Sequence, residues 1–159
     1  MPSKKIGMSD LLEIVVYPFV MPFDIDLFTS HMVHRTAHLF IANGSIGERC
    51  FVAVTAVDFE TQKPPSTLSI IAPKWRADKR AEIYADVREF LARSKAIAVC
   101  SPSETEDGIT VGIEWNGQRS AFAAMKIRDT EGGYVLAQWE RVSAGVALPL
   151  LPTAPGNLQ

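Results

Sequence analysis

The chain has 159 residues, 16 of them basic and 18 acidic, enough for one hydrophobic core and too few for two. A formal charge of −2 and a pI near 5.9 leave no broad positive surface, which excludes generic nucleic-acid binding. No apolar run reaches the roughly 18 residues that cross a bilayer, since Ile14 to Met21 is cut by Pro18. No membrane partner is therefore expected. With no basic, apolar and small-residue leader ahead of Cys50 and Cys100, the expected setting is cytoplasmic.

Residues 1–26 read as an irregular lead-in, in which Asp10 to Val16 is a short strand or helical turn and Pro18 and Pro22 interrupt the chain beyond it. From Leu27 to about Asn43 apolar residues recur at spacings of three, four and seven, which predicts a helix that Asn43-Gly44 stops. Cys50 to Val57 is a β-branched, near-continuous apolar run, expected as a central strand covered on both faces. A turn at Pro64-Pro65 then leads to a second strand, Thr67 to Ile71, making a hairpin with the first. Asp78 is placed to cap a helix running to about Arg93, whose stripe of Ile83, Val87, Phe90 and Leu91 faces the core. Ala96 to Cys100 comes next as another interior strand, bounded by Ser101-Pro102.

The strongest local signal lies between Ile109 and Arg128. Apolar and small or polar residues alternate up to Asn116-Gly117, the dipeptide that a two-residue type I′ hairpin requires. This turn sets the register: Trp115 opposite Gln118, Glu114 opposite Arg119, Ile113 opposite Ser120 and Val111 opposite Phe122. Glu131-Gly132-Gly133 makes a further turn before a last strand, Tyr134 to Val142. Residues 143–159, rich in proline and without charge, are expected to be mobile or draped over the domain.

The fold class is thus α+β, a single domain over residues 27–142. It has an open, mostly antiparallel sheet of about five strands and two main helices, in the order helix-strand-strand-helix-strand-strand-strand. That order is similar to profilin-like and roadblock-type modules, in which two helices accompany a five-stranded sheet. The resemblance is one of element order over residues 27–142 and implies architecture alone.

In the predicted hairpin one sheet face carries Gly112, Ala121 and Ala123, small enough for a helix to approach closely. The other carries Ile109, Val111, Ile113, Trp115 and Phe122. Either the two helices cover both faces, or the large apolar face meets a second copy or a protein partner.

Three groups of residues carry candidate chemistry. His31, His34 and His38 fall within about 60° of one another on a helix, and the His34–His38 spacing allows two imidazoles to reach one transition metal such as zinc. Asp24, Asp26 or Glu48 could complete such a site. Against it stand the Arg35 charge on the same stripe and the missing Glu of the His-Glu-x-x-His signature. Lys74, Trp75, Arg76, Lys79 and Arg80 gather at the start of the second helix, where an anion would be welcome and Trp75 could stack on a ring. Cys100 and Ser101 end an interior strand, but a nucleophile there needs a base, and the three histidines lie on the first helix. The two cysteines are too few and too far apart for a Cys-x-x-Cys unit.

No catalytic constellation is recognisable and no cofactor is required. The favoured reading is a non-catalytic interaction or dimerisation module. The alternatives are a metal-binding protein or metal-dependent hydrolase using the histidines, and a sensor of a small anionic ligand.

Overall fold

The computed structural model describes residues 4–19, 23–55, 66–144 and 149–152. In chain order it contains β1 (Lys4–Ser9), β2 (Leu12–Phe19), α1 (Ile25–Asn43), β3 (Phe51–Thr55), β4 (Ser66–Pro73) and α2 (Arg80–Arg93). Then come β5 (Ala96–Glu104), β6 (Gly108–Trp115), β7 (Gln118–Arg128), β8 (Tyr134–Leu136) and β9 (Glu140–Val142). The sheet is antiparallel throughout in the order β1-β2-β4-β3-β5-β6-β7, with β8 and β9 both paired to the outer edge of β7.

The α+β class holds, with more strands than the five expected. Part of the excess lies in the stretch read as an irregular lead-in, where β1 and β2 form a hairpin that joins the sheet through β4. Among the described residues Pro18 has only β4 beside it, since the last β1 pair is Lys4 with Val16, and it does not break β2. Proline is tolerated where a strand is locally an edge. The same reason carries β5 through Pro102, the residue expected to end it: β3 pairs with β5 no further than Cys100, so Pro102 faces only β6. The single last strand divides into β8 and β9, and between them Trp139 packs against the apolar clusters under α1.

Two crossovers fix where the helices go. β2 and β3 run the same way on either side of β4, and β4 and β5 run the opposite way on either side of β3. Crossovers of one, right-handed sense starting from opposite strand directions place their helices on opposite faces. On the α1 side Phe28 and Met32 pack on Val52, Val54, Cys100, Val111 and Ile113. On the other side Ile83, Val87 and Leu91 pack on Phe51, Ala53, Ile71 and Val99. β3 alternates between these two cores and is buried at every position, as a central strand should be.

The large apolar face is therefore covered by the chain's own helix. Ile109, Val111 and Ile113 are 1%, 0% and 2% exposed, so they do not form an open interface, and each contributes about 1.5–3 kcal/mol by burial instead. Trp115 is half-buried against the same cluster, and Phe122 is half-buried beneath the Arg141 guanidinium. The face of small residues, expected to receive a helix, is left uncovered by α2 across β6 and β7.

The ends of the helices follow capping rules with one correction. Asp24 caps α1, its Oδ1 accepting from the N–H groups of Asp26 and Leu27, and Gly44 closes the helix at φ 74°. Asp78 does not cap α2. It sits in a 3-10 turn, Ala77–Lys79, and pairs with Arg76 at 3.1 Å. The Pro64-Pro65 turn lies outside the described residues, as do 145–148 and 153–159 of the expected tail. Residues 149–151 of that tail are held against the domain.

Candidate ligand-binding site

Beyond the reach of α2, the sheet is floored by side chains that alternate toward that face: Ser101 and Ser103 of β5, Thr110 and Gly112 of β6, and Ala121 of β7. Their smallness leaves a depression where larger residues would have filled it. Arg49 and Tyr84 rise on one side, Arg119 and Ser143 on another, and Leu150 closes it, giving a cavity of about 260 Å³.

Each wall group is fixed by bonds of its own. The Arg49 guanidinium donates to the Tyr84 hydroxyl at 3.0 Å and lies 4.6 Å from the centre of the Trp75 ring. The Trp75 indole N–H in turn donates to the Arg49 carbonyl at 2.9 Å. Phe51, Trp75 and Tyr84 form an edge-packed aromatic triad beneath it, with centroids 5.8–6.1 Å apart. Arg119 donates to the Ala144 carbonyl at 3.3 Å. Glu114, opposite Arg119 in the hairpin, is the one carboxylate of the lining. Its oxygens accept from the backbone N–H groups of Leu150 (2.9 and 3.0 Å) and Leu151 (3.2 Å). The site thus presents two guanidinium groups, several hydroxyls and one carboxylate that accepts from backbone amides. Guanidinium and hydroxyl donors of this kind can hydrogen-bond a small oxyanion.

The residues singled out from the sequence lie elsewhere. His31, His34 and His38 all project into solvent from α1. Among the described residues no group of three or more His, Cys, Asp or Glu side chains is arranged to hold a metal ion. In the basic cluster Arg76 pairs with Asp78 and Lys79 with Glu82, and Arg80 lies over the Tyr84 ring. Trp75 has its ring face under Arg49 and is not open for stacking. The Cys100 thiol points to the α1 side, 1% exposed, and burial pushes its pKa up to about 12 against the lowering effect of Arg35. Burial likewise raises the Cys50 thiol. Neither is poised as a nucleophile. Ser101 opens toward the opposite side of the sheet from the histidines.

The cavity was signalled in the sequence by the small residues Gly112, Ala121 and Ala123. Of its charged walls, Glu114 and Arg119 were placed opposite each other by the hairpin register, whereas Arg49, in the loop after α1, had no local pattern. No family model, curated protein or solved structure matches this chain. Among the described residues, no helix is long and apolar enough to cross a membrane.

Proposed function

We propose that the protein is a non-catalytic binding module for a small oxyanion, a phosphate or carboxylate compound, held in the cavity beside α2. The supporting observation is that Arg49, fixed by Tyr84 and Trp75, lines a floor of small and hydroxyl-bearing residues that includes Ser101, Ser103 and Thr110. Relative to the sensor reading of the sequence, the anion moves from the Arg76–Arg80 surface to these walls. Titration of the protein with inorganic phosphate and with succinate, monitored by amide chemical shifts, tests it. Saturable shifts at Ser101, Ser103, Gly112 and Arg119 are expected, and shifts confined to the exposed Lys74–Arg80 stretch would count against the reading.

A second reading, a homodimer, is favoured by one observation. On the uncovered side of the sheet Met125, Ile127 and Val135 stand 66%, 50% and 46% exposed, with Ile127 directly opposite Val135. Sedimentation should then give a dimer that Ile127→Glu converts to monomer; a monomer at every concentration contradicts it.

A further inference from the structure

Strands β5 and β6 bring three hydroxyls together on the cavity floor. Ser101 and Ser103 are two apart on β5 and share a face, which sets them about 7 Å from each other along the strand. Thr110 of β6 lies directly opposite Ser103, at the ~5 Å of a cross-strand pair. All three residues are half-buried. Elsewhere in the chain buried or half-buried hydroxyls bond to the protein itself: Thr36 to the Met32 carbonyl, Ser94 to that of Phe90, Ser45 to Glu104 and Thr55 to Thr67. Among the described residues the hydroxyls of Ser101, Ser103 and Thr110 have no such partner. Glu114 stands in the same lining, two residues beyond Gly112 on the same face of β6. A carboxylate has about four acceptor positions, and the contacts from the Leu150 and Leu151 amides take three of them.

These groups differ in what they ask of a ligand. A guanidinium only donates, which suits an oxyanion, whereas a hydroxyl both donates and accepts and a carboxylate only accepts. A bare phosphate or dicarboxylate filling the cavity meets Glu114 as a like charge and leaves the acceptor capacity of the three hydroxyls unused. Alcohol groups on the ligand reverse both effects, since each can donate to Glu114 or to one floor hydroxyl and accept from another. We propose that the ligand is a small polyhydroxylated oxyanion, a hydroxy acid or the phosphate of a single sugar or polyol. Its anionic group lies at Arg49 and its alcohol groups on Ser101, Ser103, Thr110 and Glu114. This inference rests on the oxyanion reading of the same cavity and adds the chemistry of the rest of the ligand. The cavity's volume of about 260 Å³ falls below the roughly 300–1,000 Å³ that holds drug-sized ligands, which limits the ligand to one sugar-sized unit.

The test is a calorimetric titration of the wild-type chain at neutral pH with two matched pairs of ligands: tartrate against succinate, and glycerol 3-phosphate against propyl phosphate. The members of a pair share their anionic groups and carbon skeleton and differ only in hydroxyl groups. In at least one pair the hydroxylated member is expected to bind at least about fivefold more tightly, and the pair that shows it tells carboxylate from phosphate. The variant carrying Ser103→Ala and Thr110→Val, checked for native circular dichroism, removes two floor hydroxyls with little change in volume. Its ratio of affinities within that pair is expected to fall toward one. Equal, saturable binding within both pairs overturns the proposal and leaves the oxyanion reading standing, whereas no binding of any of the four ligands overturns both. A preference that persists undiminished in the folded variant also overturns the proposal.

Discussion

At the scale of single residues, Glu104, at the end of β5, is a charge held by three hydrogen bonds. Its Oε1 accepts from the Ser45 hydroxyl at 3.0 Å and the Ile46 N–H at 2.9 Å, and its Oε2 from Lys126 Nζ at 2.7 Å. Burial alone would raise the carboxyl's pKa, but these bonds outweigh it and hold the group below the usual glutamate range. A carboxyl that binds its proton more weakly when folded stabilises the fold above its unfolded pKa, and loses that contribution as pH falls through this value toward the folded one. Glu104→Gln should therefore cost about 1–3 kcal/mol at pH 7. The deficit should shrink below about pH 4, as urea unfolding at the two pH values would show. An equal deficit at both would mean that the carboxylate's charge is not what ties the α1–β3 loop to β5.

At the scale of elements, what could be read from the sequence was what neighbours along the chain decide. The buried stripe of α2 is set by residues three and four apart, and the β6–β7 register by one turn, with each expected cross-strand pair observed. Asn116 and Gly117 take φ of 53° and 73°, the left-handed pair the type I′ turn demands. Gly117→Ala should cost about 1 kcal/mol, measurable by denaturant unfolding, with the fold retained. Decisions made by distant partners were not legible. β1 and β2 are strands because β4 lies beside β2, and the Pro102 break vanishes because β3 pairs with β5 no further than Cys100. Asp78 had the right type for a cap, but the 3-10 turn places it one residue before the N-cap position, Lys79, where Arg76 takes its charge.

At the scale of the whole molecule, two crossovers decide which surface is free. They send α1 over Val111 and Ile113 and α2 over Phe51 and Val99, so each helix covers a different part of its face. The half-sheet that α2 does not reach is the one built of small residues. Its emptiness creates the cavity, and residues 149–151 close it from the side. The cavity's residues could be named individually in the sequence, but their convergence depends on Arg49 after α1, Tyr84 within α2 and Arg119 on β7 meeting across the fold. The most direct measurement is a calorimetric titration of wild-type and Arg49→Ala protein with phosphate and succinate. The expected result is saturable binding of at least one anion by the wild type, weakened about tenfold or more in the variant through loss of a charge-assisted contact. Equal affinity in the two proteins, or no binding by the wild type, would contradict a binding site built around Arg49.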